Sequence, residues 1–232
     1  MIEVRSLTKT FGGKPVLRGL DFSAQEGEFV ALLGPNGAGK TTFLRILASL
    51  TRPTLGRVSV GGCVLPAQAA GVRRRLGVLS HQPLLYGDLT AEENLRFFAR
   101  LYGVPNPEAR IGEVLRLVGL SARRRDLVRK FSRGMQQRLA VARAILHDPQ
   151  VLLFDEPHTG LDQDASAMLD GVLAESRARG CTVVMTSHDL SRALSLAERI
   201  DILSSGKIAG SVKHGDLGPE DFVRYYGRVI GQ

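Results

Sequence analysis

Apolar residues along the chain gather into short runs set between glycine-rich turns, and into longer stretches with helical spacing. Phe29-Val30-Ala31-Leu32-Leu33 and Val151-Leu152-Leu153-Phe154 have no polar interruption, which predicts strands covered on both faces. Leu76 to Ser80, ending at His81-Gln82-Pro83, Thr182 to Thr186 and Ile200 to Leu203 extend the same set. Ile2 to Leu7 and Val16 to Ala24 alternate instead, with a turn at Phe11 to Pro15. They predict an antiparallel patch over one end of the core. Arg57 to Val60 and Val64-Leu65 flank Gly61-Gly62 as a short hairpin, and Ser205-Gly206 turns the last core strand into Ile208 to Val212.

Between Pro83 and Gln150 the pattern is helical. Thr90-Ala91-Glu92-Glu93 is a capping box followed by Leu95, Phe97, Phe98, Leu101 and Tyr102 at roughly helical spacing. Asn106-Pro107 opens a second helix that Gly119 stops, and Ser132 caps a third carrying Leu139, Val141, Ala142 and Ile145 inward. Further helices are expected from Asp164 to Arg179, from Asp189 to Ala197 and from Pro219 to Tyr226. The expected architecture is a single α/β domain over 1–232. Its core occupies 1–82 and 150–212, a helical subdomain is inserted at about 83–149, and a short helix closes it at about 219–227.

Composition narrows this little. At 232 residues, 44% hydrophobic, the chain suffices for a full α/β core. The formal charge of +8 comes partly from Arg73-Arg74-Arg75 and Arg123-Arg124-Arg125 and suits either an anionic partner or a solvated arginine-rich surface. Cys63 and Cys181 lack a CxxC or a histidine cluster, so reduced, buried thiols are expected rather than a disulfide or zinc site. No run approaches the roughly 18 apolar residues of a membrane helix, so any membrane role needs a spanning partner.

The chemistry centres on Gly34-Pro35-Asn36-Gly37-Ala38-Gly39-Lys40-Thr41-Thr42, between a buried strand and a helix start. Glycines let successive N–H groups converge on one point, and the helix presents its positive end there, which suits a polyphosphate. Lys40 is placed to reach the β/γ-phosphates and Thr41 to bind magnesium. Asp155 and Glu156 end the second buried strand. Asp155 is expected to hold Mg2+, and Glu156 to polarise a water for in-line attack on the γ-phosphate. His188, just past another strand, is expected beside the γ-phosphate and Glu156, and Gln82 near magnesium or the attacking water.

These signs in order resemble the ATP-binding-cassette (ABC) ATPases almost end to end: Phe11, Gly34 to Thr42, Gln82, Phe131-Ser132-Arg133-Gly134-Met135, Val151 to Pro157, Thr159-Gly160-Leu161-Asp162 and His188. The resemblance implies a P-loop NTPase (RecA-like) core, with Phe11 against adenine. It further implies ATP and Mg2+ as ligands and a head-to-tail dimer in which Ser132 and Gly134 of one copy meet the ATP of the other. It implies integral membrane permease subunits docked near Gln82, and a place on the inner face of the cell membrane. No nucleic-acid partner is expected, since soluble cassettes usually carry two cassettes, coiled coils or zinc motifs. Arg133 and Met135 stand where the family usually has glycine and glutamine, which predicts a weakened composite site. His158 has no assigned chemistry.

Tyr86 to Gly103, with the stretches around Ser132 and Asp155, is similar to the ATP-binding subunit of the haem exporter in bacterial cytochrome c maturation. That similarity implies haem export. The alternative expectation is another small exporter, of drugs, lipids or glycans. The short tail after the last strand predicts no C-terminal regulatory domain.

Overall fold

The computed structural model describes residues 1–80 and 82–231; His81, where the strand from Leu76 is expected to end, lies outside them. Two sheets make the frame. β1 (Ile2–Phe11), β2 (Lys14–Ala24), β4 (Leu55–Val60) and β5 (Cys63–Leu65) form an antiparallel sheet in the order β2-β1-β4-β5. β3 (Phe29–Leu33), β6 (Leu76–Leu79), β7 (Val151–Asp155), β8 (Thr182–Thr186), β9 (Arg199–Ser204) and β10 (Lys207–Lys213) form the larger one, ordered β10-β9-β3-β8-β7-β6. Every pair there is parallel except β10 on β9.

The unbroken apolar runs follow from this position. Successive side chains of a strand face opposite ways, and both faces of the large sheet are covered. Phe29, Ala31 and Leu33 enter one core with Leu152, Phe154, Val183 and Met185. Val30 and Leu32 enter the other with Val151, Leu153 and Val184. That second core lies between the sheets and takes Phe43, Leu44, Ile46 and Leu47 of α1 (Lys40–Leu47). The P-loop helix is thus held by packing on two sides, which fixes its N-terminus at the ends of β3 and β7.

α3 (Ala91–Tyr102), α4 (Pro107–Leu117) and α5 (Arg133–Ile145) lie between β6 and β7 in the chain, as the periodicity predicts. Thr90 Oγ1 accepts from Glu93 N at 3.2 Å while Glu93 Oε2 accepts from Thr90 N at 2.8 Å, completing the capping box. α6 (Gln163–Ala178), α7 (Leu190–Leu196) and α8 (Pro219–Ile230) complete the helices, and α8 runs beyond the expected Tyr226 because Phe222 anchors it in the core.

Sequence reading missed α2 (Ala69–Arg75). Only Val72 of its residues is buried, so it shows no apolar period. Its Arg75 donates to Gly71 O at 2.9 Å, while Arg124 pairs with Glu92 at 2.9 Å and Arg123 with Asp126 at 3.1 Å. Part of each basic cluster therefore serves the fold. Cys181 is buried, and its thiol is pushed up to about 12; Cys63 is only half-buried, against expectation, because it sits on the outer strand β5.

One consequence is pH dependence. His147, just past α5, stacks on Tyr102 with ring centroids 3.8 Å apart and planes 3° apart. Burial pushes its pKa down from 6.5 to about 4, with Arg143 and Arg110 adding to the effect and Asp148 opposing it. Between these values the unfolded chain takes up a proton that the fold excludes, so stability is complete above pH 6.5 and falls as pH drops toward 4. The loss should be on the order of 3 kcal/mol. Urea unfolding at pH 7 and pH 4.5 should show His147→Phe losing less stability on acidification than the wild-type chain. Equal losses would mean the ring is not held neutral.

Candidate functional site

The site is built at the carboxyl ends of β3, β7 and β8, where parallel α/β sheets place their ligand crevices. A cleft of about 670 Å³ is lined by Val16, Pro35 to Thr42, Glu156, Thr159 and His188. Its floor is the turn between β3 and α1. Gly34 has φ +150°, and a β-carbon there would stand 2.1 Å from Leu203 O. Gly39, at φ +110°, would drive one to 2.8 Å from Leu17 Cδ2. Only glycine lets this turn lie so close to β9 and β2.

Lys40 is buried at the first turn of α1, and its ammonium donates to Gly34 O at 2.6 Å and Pro35 O at 3.3 Å. It straps the loop closed. Burial lowers its pKa, while Glu156 and Asp155 work in the opposite direction.

Asp155 ends β7 and is 6% exposed. Its Oδ1 accepts from Thr41 Oγ1 at 3.2 Å and from Thr186 Oγ1 at 2.7 Å. A carboxylate and a hydroxyl thus converge beside the phosphate loop. Such hard oxygen donors fit Mg2+, which takes one or two carboxylates and completes its shell with water and substrate phosphate. Glu156 has φ +51°, a left-handed backbone that costs a non-glycine residue about 1–3 kcal/mol. Its amide donates to Thr186 Oγ1 at 2.9 Å, and its Oε2 lies 2.6 Å from His188 Nδ1. An ionised carboxylate only accepts, so Nδ1 carries the proton in this pair, and Nε2 donates to an anion only in a ring protonated on both nitrogens.

Thr186 joins the two acids: it donates to Asp155 and accepts from Glu156. Sequence reading placed it merely as the last residue of a strand. Its signal was its register, since Asp155 pairs with Thr186 across the β7–β8 ladder.

The remaining expected residues lie outside the walls of this cleft. Phe11, 49% exposed at the β1–β2 turn, has the Lys9 ammonium 4.6 Å above its ring. Gln82 is exposed past the end of β6, and its carbonyl accepts from Ser80 Oγ at 2.9 Å. Ser132 caps α5, accepting from Met135 N at 3.2 Å, with Gly134 half-buried on the first turn. A neighbouring depression of about 290 Å³ joins Arg133, Gln137 and Ser80 to Asp155 and Glu156.

Known proteins resemble this chain over most of its length. The family model described as "ABC transporter" matches residues 17–159. The linearmycin resistance ATP-binding protein LnrL of Bacillus subtilis is 35% identical over 219 residues, 94% of this chain and 70% of that protein. The Nod factor export ATP-binding protein I of Burkholderia lata is 39% identical over 232 residues, covering 97% of this chain and 76% of that protein. Among solved structures, an ATP-binding subunit of an ABC transporter superposes with a TM-score of 0.88 at 31% identity, covering 100% of this chain and 95% of that one. A dimeric ATP-binding cassette in a post-hydrolysis state, bound to ADP and Pi, gives 0.85 at 28% identity, over 94% and 100% of the two chains.

Proposed function

The chain belongs to the ABC transporter family and carries its ATPase domain, and from that premise we propose that it hydrolyses ATP at this cleft to drive a small-molecule exporter in the membrane. The observation that carries the site reading is the 2.6 Å contact of Glu156 and His188 over the phosphate loop. The loop amides and Lys40 hold the phosphates; Glu156 orients and deprotonates the attacking water; Nε2 of His188 faces the γ-phosphate, to which it donates when the ring carries a proton on both nitrogens. Bound between Thr41 and Asp155, Mg2+ would neutralise charge on the β- and γ-oxygens.

Ser132 and Gly134 lie outside the walls of this chain's own cleft, on a capped helix start suited to an anion. A second copy placed head to tail brings them to an ATP, and a dimeric cassette is among the structures this fold resembles. The division into a core and a helical subdomain at about 83–149 suits this use, because the helical part carries Ser132 while the core carries Lys40.

Substrate is read from relatives alone. They include proteins named for Nod factor export and for linearmycin resistance; these names favour the alternative, export of another small molecule, and lend no support to the haem export implied by the motif resemblance. Among the described residues no helix is long and apolar enough to cross a membrane. Peripheral attachment to permease subunits at the inner face supplies the path.

An exposed patch fits that attachment. Leu84, Tyr86, Phe97 and Leu101 are 47%, 51%, 43% and 67% exposed, with Tyr86 edge-on to Phe97 at 5.2 Å. Buried Asn94 pins the loop, accepting from Tyr86 N at 2.8 Å and donating to Tyr86 O at 2.9 Å. Tagged chain drawn from gently solubilised membranes should co-purify with a permease. Tyr86→Glu should release it by at least about tenfold while ATP binding by the free chain is unchanged, since an interface anchor is worth about 2 kcal/mol. Recovery of cytochrome c maturation subunits would restore the haem reading; ribosomes without a permease would overturn transport.

A further inference from the structure

One buried titratable group is unused by this chemistry. His158 follows Glu156 by two residues, and its side chain is 12% exposed. Its Nε2 lies 2.7 Å from Asp170 Oδ1 on α6. The other oxygen of Asp170 accepts from Arg192 Nη1 on α7, also at 2.7 Å. Arg192 in turn faces Asp189: its backbone N donates to Asp189 Oδ1 at 3.0 Å, and its Nε stands 3.7 Å from Oδ2. Asp189 caps α7 and is covalently next to His188. With the backbone from Glu156 to His158 and from His188 to Asp189, these contacts close a ring. Glu156 and His188 touch directly, and they are joined a second time through His158, Asp170, Arg192 and Asp189.

We propose that His158, Asp170 and Arg192 form a positioning clasp that holds the backbone of Glu156 and the start of α7 at the spacing the Glu156–His188 pair needs for hydrolysis. The proposal rests on the assignment of Glu156 and His188 to hydrolysis made above. Glu156 sits in a left-handed conformation, and such strain persists only where its surroundings over-determine it. On one side the Thr186 hydroxyl fixes its amide. On the other side the chain turns at once, with Thr159 N donating to Glu156 O at 3.2 Å, and His158 is the side chain within that turn that reaches α6.

The protonation state fits a fixed strut. His158 Nδ1 is buried without a hydrogen-bond partner among the described residues. A neutral ring with its proton on Nε2 leaves only a lone pair there, whereas an imidazolium would leave a buried N–H unpaired, which costs more. Burial lowers the basicity of His158 accordingly, and Asp170 and Arg192 act on it in opposite senses. Asp170 carries the load between two helices, with each oxygen taken by a different partner.

Steady-state hydrolysis by the full chain tests the clasp, with thermal melting and nucleotide binding measured alongside. His158→Ala should lower kcat by about ten- to hundredfold, because a small displacement of a catalytic group costs that much. The KM for ATP should stay within about twofold, since the clasp does not touch the phosphate loop. His158→Gln, whose amide can still donate to Asp170, should recover most of the rate. Asp170→Asn added to His158→Ala should cost little more than either alone. Should His158→Ala not fold, Arg192→Met read against Arg192→Lys gives the same comparison from the other end. Wild-type kcat in His158→Ala, equal losses in the Ala and Gln variants, or loss of KM and melting temperature together with kcat would overturn the proposal. Glu156→Gln separates the two ideas. If it is inactive while His158→Ala is normal, only the clasp fails; if it is active, the assignment of Glu156 fails first.

Discussion

Glu156→Gln should abolish turnover while leaving ATP bound, with kcat down about 10²–10⁴-fold, the contribution of a positioned general base. The substitution keeps the size of the side chain and allows a hydrogen bond to His188 Nδ1, now 2.6 Å from Oε2. It removes the negative charge and the proton-accepting oxygen. The Thr41–Asp155 pair and the loop amides are untouched, so nucleotide affinity should be retained. Because ATP then persists between two copies, the variant should elute as a dimer with ATP and as a monomer without it. Hydrolysis near the wild-type rate would remove Glu156 from its role and leave the water to be activated by phosphate itself.

Lys40→Ala should weaken ATP binding at least about 100-fold, a loss of some 3 kcal/mol that fits charge-assisted contacts to phosphate in a water-poor site. Lys40 has two attachments in the loop, Gly34 O at 2.6 Å and Pro35 O at 3.3 Å, and these hold its ammonium at the mouth of the turn. Burial already disfavours its charge, and the nearby Asp155 and Glu156 offset this; bound phosphate would add to that stabilisation. Removing it leaves Glu156 in the cleft wall and Asp155 beside the loop facing a polyphosphate, which compounds the loss. Titration with a fluorescent ATP analogue reads the effect. Affinity within about threefold of wild type would place the phosphates elsewhere. Lys40→Arg should not restore binding, because a planar guanidinium cannot occupy the narrow space between two loop carbonyls and a phosphate.

The two expectations separate the site into parts. On these expectations Lys40 acts on binding, Glu156 on turnover, and the proposed clasp at His158 on turnover through geometry alone. A kcat loss with KM unchanged in both Glu156→Gln and His158→Ala, but rescue by a conservative change only in the second, would distinguish a reacting group from its support.

What the sequence settled by itself were the features with local causes. The phosphate loop is legible because its glycines and the flanking strand and helix are demanded by backbone geometry within a few residues. The caps at Thr90, Ser132 and Asp189 are legible for the same reason, since each is a side chain bonding a backbone amide three residues on. The two-sided burial of β3 and β7 followed from runs with no polar break. α2 escaped because it buries one residue and so leaves no period to read. Substrate was not legible either: the nucleotide motifs are made of phosphate chemistry, and nothing in them meets a transported molecule.

Tertiary structure alone decided how the acids are held. Thr186 is 31 residues from Asp155 in sequence, and only the parallel pairing of β7 and β8 sets its hydroxyl between the two carboxylate residues. The left-handed backbone of Glu156 is a strained state that no local propensity favours, so it exists only because that pairing and the surrounding contacts impose it. His158 had no account as a residue in a motif; it gained one when α6 and α7 brought Asp170 and Arg192 against it. Short-range backbone chemistry is written in neighbouring letters, whereas the placement of one side chain against another distant in sequence is fixed by packing, and here packing sets Glu156 against His188 at 2.6 Å.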